Sequence, residues 1–294
     1  MPEQYLKVYQ QQVENTLQRM METVFPPQAG SAVARAAAYS LLGGGKRVRG
    51  VLTLAASALV CGDAAPAESY AAALEMLHCY SLIHDDLPCM DNDDFRRGRP
   101  SCHKAFGETT ALLAGDALLT AAFETLCRNE NGGEKNARAV QLLAHAAGPH
   151  GMVLGQELDL AAEETPVDEA GLLLIHTNKT GRLLRAAVGL GAIAAGASGA
   201  QAAALDGYAE RIGMVFQIVD DILDVTATSE ELGKPIGSDA ENNKTTIVTL
   251  KGIDAARAEA ERLTREACVL LQNTFGKSAD FLCNYAQKLV ERSN

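Results

Sequence analysis

The sequence predicts an all-α protein folded as a single domain, and three observations carry that prediction. Apolar residues recur at helical spacing along nearly the whole chain, and no alternating strand pattern is flanked by hairpin turns. Aromatic residues make up only 5% and Trp is absent, while Ala, Leu and Gly are abundant, a balance that suits close-packed helices. The breaks between periodic segments carry turn chemistry, and no Pro- or Ser-rich linker or internal repeat divides residues 1–294.

Taken in order, the first helix is expected over Glu3–Val24 and stops at Phe25-Pro26-Pro27, where proline removes an amide donor. Ala32–Leu41 follows, closed by Gly43-Gly44-Gly45, and then Arg47–Val60 and Ala67–Leu87. Thr109–Arg128 and Glu134–Ala147 flank the turn Asn131-Gly132-Gly133, and Gly148-Pro149 ends the second of them. Gly151–Glu163, Asp168–Thr177, Lys179–Ala197 and Gln201–Val225 complete the main run. Two more helices are expected within Asp254–Gln272 and Ser278–Arg292.

Bulk numbers bound the function. With 47% hydrophobic residues in 294, a sizeable core can form. The net charge of −11 excludes nonspecific nucleic-acid binding. A polyanionic substrate must then be held by metals and a focused basic site; one opposite-charge pair at ~4 Å and an effective dielectric of ~20 is worth roughly 4 kcal/mol. No stretch of about twenty apolar residues lacks charges or helix-weakening glycines, so no membrane span is expected. Leu183–Ala197 comes nearest, and its Gly189, Gly191 and Gly196 read as close helix packing. The N-terminal Met1–Gln12 has no signal-peptide apolar region. Seven scattered cysteines without a C-x-x-C pair read as reduced, mostly buried thiols of a cytoplasmic protein.

The chemistry concentrates in two aspartate clusters, each embedded in an apolar helix-like stretch: Asp85-Asp86-Leu87-Pro88-Cys89-Met90-Asp91 and Asp220-Asp221-Ile222-Leu223-Asp224. Buried carboxylates are costly unless a cation joins them. Two sets of hard oxygen ligands suit Mg²⁺, which is usually held by one or two carboxylates plus substrate phosphates. Asp220 and Asp224 stand at i and i+4 and share a helix face, with Gln217 roughly on it. Asp85 and Asp91 are six apart, so a regular helix does not align them; a distortion at Pro88 could bring Asp91 back alongside Asp85. Polar loops carrying Arg96, Arg97, Arg99 and Lys104, and Lys234 and Lys244, follow the two clusters, as charged loops that close over a ligand do. Gly43-Gly44-Gly45-Lys46-Arg47-Val48-Arg49 is a glycine turn opening a helix with three cations, similar to a phosphate cradle but not a Walker A loop.

Together, Gly44-Gly45-Lys46-Arg47, Leu82-Ile83-His84-Asp85-Asp86 through Asp91, Arg96-Arg97-Gly98, Gly155-Gln156-Glu157-Leu158-Asp159, Lys179-Thr180-Gly181 and Gln217 to Asp224 resemble the trans-prenyltransferase family in content and order. The resemblance spans residues 43 to 244 and implies an isoprenoid synthase-like bundle of antiparallel helices around a central cavity, working as a homodimer. It implies that Asp85, Asp86 and Asp91 face Asp220, Asp221 and Asp224 and hold about three Mg²⁺. It places Gly45, Lys46, Arg49, His78 and Arg97 on isopentenyl diphosphate, and Arg96, Lys179, Lys234 and Lys244 on the allylic diphosphate. Thr180 and Gln217 would aim oxygens at the allylic cation, and Gln156 and Asp159 would support that site. The family's basic C-terminal tail is matched only by Arg292. Tyr80, with its neighbour Ser81, lies upstream of Asp85 where bacterial-type farnesyl synthases have an aromatic floor that stops growth at C15. The run Leu87 to Asp93 also resembles plant-type geranylgeranyl synthases, which have a non-aromatic residue at the Tyr80 position. A terpene cyclase, a noncatalytic subunit of a heteromeric prenyltransferase and a Ca²⁺-responsive helical protein each leave part of this joint pattern unexplained.

Overall fold

A computed structural model describes residues 2–25, 30–128, 132–226 and 245–291. Fourteen α-helices are seen among them: α1 Pro2–Val24, α2 Ala32–Leu41, α3 Val48–Cys61, α4 Glu68–Asp85, α5 Cys102–Phe106, α6 Glu108–Cys127, α7 Gly133–Ala147, α8 Met152–Glu164, α9 Glu169–His176, α10 Arg182–Ala195, α11 Gly199–Thr226, α12 Ile247–Lys251, α13 Ile253–Phe275 and α14 Asp280–Glu291. A π-turn, Thr177–Gly181, joins α9 to α10 without a break. Each long helix matches a periodic segment of the sequence.

Two features depart from the sequence reading. A small antiparallel hairpin, β1 Phe95–Arg96 with β2 Arg99–Pro100, stands in the polar loop after the first aspartate cluster. Arg97 and Gly98 both have positive φ there (55° and 72°), the twist a two-residue hairpin turn requires. Helices α5 and α12 have five residues each, too short for periodicity to reveal.

The core forms one continuous hydrophobic cluster, from Val13 on α1 to Val290 on α14. Helix α10 is buried nearly all round, through Leu183, Leu184, Ala186, Ala187, Val188, Leu190, Gly191 and Ala192, and packs on α3, α7, α11 and α4. Close packing at Gly191 is real: a Cβ there would lie 2.8 Å from that of Ala56 on α3. Gly196 instead caps α10 in the left-handed region (φ 72°), correcting its reading as a packing residue.

Among the described residues, helix α6, rather than Leu183–Ala197, is the helix long and apolar enough to cross a bilayer. Its Ala111, Ala114, Gly115, Leu118, Ala121 and Ala122 are buried, and it packs on α4 and α2, as a core helix does. All seven cysteines are free thiols; Cys79, Cys102, Cys268 and Cys283 are buried.

Candidate active site

Helix α4 ends at Asp85, and the chain then folds back so that the Asp91 amide donates to the Asp85 carbonyl at 2.8 Å. The turn is closed by Met90 N–H on the Leu87 carbonyl at 2.8 Å, with Asn92 in the left-handed region. The six-residue spacing thus brings Asp91 alongside Asp85. Asp85 is half-buried, and burial lifts its pKa to about 6; Asp91 and Asp86 push the same way, while Lys179 and Arg96 oppose them.

Asp86 is 2% exposed and its Oδ1 accepts from Arg96 Nε at 2.9 Å, with the Nη2 of the same guanidinium also on it. Arg96 Nη2 reaches Asp93 Oδ2 at 3.0 Å as well. A carboxylate assigned to metal and a cation assigned to diphosphate therefore hold each other in this structure.

The second cluster lies on α11, whose buried Ile218, Val219, Ile222 and Leu223 anchor that stretch in the core. Asp220 is half-buried and Asp224 is buried. Asp221 is 8% exposed and its Oδ2 accepts the Ile247 amide at 2.8 Å, tying α11 to the start of α12. His176 Nε2 stands 3.9 Å from the same oxygen. Burial nonetheless holds the His176 pKa down to about 4, against the opposing pull of Asp159.

Between the clusters, Lys179 Nζ donates to Asp159 Oδ2 of α8 at 2.6 Å. The π-turn carries one extra residue into the helix, a device often found at functional sites. It swings the backbone against α8, and Gly155 makes room: a Cβ there would lie 2.5 Å from Lys179 Cα and 2.6 Å from the Asn178 carbonyl carbon. Gly213 on α11 backs the other side, with a Cβ position 3.1 Å from Gly181 Cα. Among the described residues, the Thr180 hydroxyl and the Gln217 amide have no hydrogen-bond partner. The buried Gln156 Nε2 has none either.

The glycine turn is built for close approach. Gly44 and Gly45 have φ of 83° and 132°, and a Cβ on Gly45 would lie 2.8 Å from Arg97 Cζ. Arg97 Nη1 donates to the Gly44 carbonyl, joining hairpin and cradle. Arg47 corrects the reading of three cations in the cradle. It is 3% exposed, pairs with Glu14 at 2.7 Å and Glu75 at 3.6 Å, and donates to the Leu41 carbonyl at 2.6 Å. Glu75, which sequence reasoning missed, also takes the Gly50 amide at 2.8 Å. Its only signal was position, three residues before His78 on one face of α4.

Arg49 Nε is buried without a partner. The Arg49 pKa is lowered by burial, with Glu75 and Asp220 acting against that. His78 is half-buried; burial drives its pKa well down, and Arg49, Arg97, Arg47 and Arg96 reinforce this. Tyr80 is 8% exposed on α4, its pKa raised to about 12 by burial, with Ser81 bonded back to the His78 carbonyl at 2.9 Å. Lys234, Lys244 and Arg292 lie outside the described residues.

The structure thus brings Asp85, Asp86, Asp91, Asp159, Lys179 and Arg96 into one charged cluster, with Arg49 linking the cradle to Asp220. Residues 31–278 match the family model for polyprenyl synthetases. The chain belongs to that family. It is 48% identical over 267 residues to geranylgeranyl pyrophosphate synthase 9 of Arabidopsis thaliana, covering 89% of this chain and 74% of that protein. It is also 44% identical over 260 residues to a farnesyl diphosphate synthase of Geobacillus stearothermophilus, covering 87% and 86%. Among solved structures, a geranyltransferase from Legionella pneumophila superposes with a TM-score of 0.88 at 37% identity, covering 100% of this chain and 98% of that one. The all-α, isoprenoid synthase-type fold expected from the sequence is the fold observed.

Members of this family are generally Mg²⁺-dependent. Among the described residues no three His, Cys, Asp or Glu side chains converge closely enough to hold a metal alone. Mg²⁺ completes its shell with water and substrate phosphates. The donors at 85, 91 and 220 are hard oxygens. Burial is the main cause that lifts Asp85, repulsion from Asp91 and Asp86 adds to it, and a bound cation would offset both.

Proposed function

We propose that this chain is a trans-prenyltransferase that adds isopentenyl diphosphate head-to-tail, in a 1'–4 condensation, to dimethylallyl and geranyl diphosphates and releases farnesyl diphosphate. The observation that carries the reaction class is the meeting of acidic residues with the Lys179 and Arg96 cations, and of Asp220 with Arg49. Asp85, Asp86, Asp91, Asp220, Asp221 and Asp224 would hold Mg²⁺, which would neutralise the charge that develops on the departing diphosphate.

The chain's own residues do the rest. Lys46, Arg49 and Arg97 bind isopentenyl diphosphate beside the Gly45 backbone, and the unpartnered Arg49 Nε is a donor waiting for such an anion. His78, kept neutral among four guanidiniums, adds a hydrogen bond without adding charge. Arg96, Lys179, Lys234 and Lys244 hold the allylic diphosphate, so that departure leaves it paired. The Thr180 and Gln217 oxygens face the allylic cation, Asp159 fixes Lys179, and Gln156 supports the allylic site. The allylic C–O bond breaks to give that cation and diphosphate, the isopentenyl double bond attacks the cation to form the new C–C bond, and loss of a proton to the released diphosphate forms the new double bond.

The C15 product rests on Tyr80, a buried ring just upstream of Asp85, which supports a closed floor with Ser81 beside it. Tyr80→Ala is expected to extend the product to C20; an unchanged C15 product would place the floor elsewhere. A geranylgeranyl product is the second reading, favoured by the 48% identity to a plant geranylgeranyl synthase. The reading carries with it a one-domain, homodimeric, cytoplasmic enzyme.

A further inference from the structure

We propose that His84 and Gly115 form a brace between α4 and α6 that sets the position of Tyr80, making them determinants of product length. The inference rests on the reading of Tyr80 as the floor of a C15 site. His84 follows Tyr80 by one helical turn, and the two rings meet edge-on at 5.6 Å between centroids and 83° between planes. Among the described residues the Tyr80 hydroxyl has no hydrogen-bond partner, so ring packing is what orients it.

His84 is in turn pinned to α6. Its Nε2 lies 3.1 Å from the Leu112 carbonyl, and a carbonyl only accepts, so Nε2 carries the proton and donates. Asp116 Oδ1 stands 3.9 Å from the same nitrogen and favours that tautomer. The imidazole reaches α6 because residue 115 is glycine. A methyl group there would overlap the ring, with Nε2 and Cδ2 nearest and Cε1 at 3.0 Å. The ring would have to swing away, releasing the edge of Tyr80. The floor is therefore held from the neighbouring helix.

Product chromatography on the full-length protein with Mg²⁺, isopentenyl diphosphate and geranyl diphosphate tests this. Wild type is read first, and a C20 product there overturns both the farnesyl reading and this inference. Given a C15 wild type, His84→Ala and Gly115→Ala should each lower the C15-to-C20 ratio about tenfold while condensation continues. In a Tyr80→Ala background, His84→Ala should add no further lengthening, because it acts through that ring. Unchanged C15 from a folded His84→Ala protein overturns the brace and leaves the farnesyl reading standing. Additive lengthening in the double variant likewise overturns action through Tyr80. Should Gly115→Ala fail to fold, His84→Ala alone decides.

Discussion

At the scale of single residues, the account turns on Asp85, which must be ionised to bind a cation. Its pKa is raised to about 6, so the carboxylate form is lost as pH falls through that value. The pH profile of kcat/KM should show an acid limb near pH 6, with activity rising above it. Lys179→Met removes an opposing positive charge and should move that limb to higher pH; an unmoved limb would assign it to another group. Asp85→Ala should lower turnover by a factor on the order of 10³. The aspartates were legible because acidic residues in apolar helices need a reason. The return of Asp91 was one arrangement open to the break at Pro88, and the hydrogen bond from its amide to the Asp85 carbonyl decides it. Arg47 was not legible. Whether a cation faces the cavity or the core depends on Glu14 and Glu75, which no local spacing couples to it.

At the scale of elements, the π-turn positions Lys179 and Thr180, and α8 holds it at Gly155. The atoms a Cβ would meet belong to backbone and cannot swing aside. Gly155→Ala should therefore destabilise the protein by about 1–3 kcal/mol and depress turnover further than that loss explains. Urea unfolding alongside initial rates would separate the two effects. His176, at the end of α9, gives a pH signature of its own. Its folded pKa is depressed from 6.5 to about 4, so its contribution to stability is complete above about pH 6.5 and is lost as pH falls towards 4. The loss is about 3 kcal/mol, and His176→Gln should flatten it in unfolding curves compared across that range. The sequence reading placed a helix boundary at Asn178, where the helix in fact continues with one residue too many. An extra residue shifts the phase of the pattern just as a break does, so periodicity cannot tell them apart. Helices α5 and α12 and the hairpin escaped for a related reason, their five-residue and two-residue elements being too short to repeat a pattern.

At the scale of the whole molecule, an acidic chain of net charge −11 can hold two polyanions, as the proposed function requires, only by collecting its cations at one place. Lys179, Arg96, Arg97, Arg49 and Lys46 come from three separated segments, and their convergence is what the bundle supplies. The sequence carried the fold class and the candidate ligands, because periodicity and residue chemistry are local. Pairings such as Asp221 with the Ile247 amide, or His84 with α6, are products of packing between distant segments. The central claim, a condensing enzyme that stops at C15, is tested most directly by product analysis of the wild-type protein. Labelled isopentenyl diphosphate would be supplied with Mg²⁺ and, in separate reactions, C5, C10 and C15 allylic diphosphates. The account predicts a C15 product from the C5 and C10 primers and little use of the C15 primer. Conversion of the C15 primer to C20 would contradict the Tyr80 floor, and no condensation with any primer would contradict the catalytic reading itself.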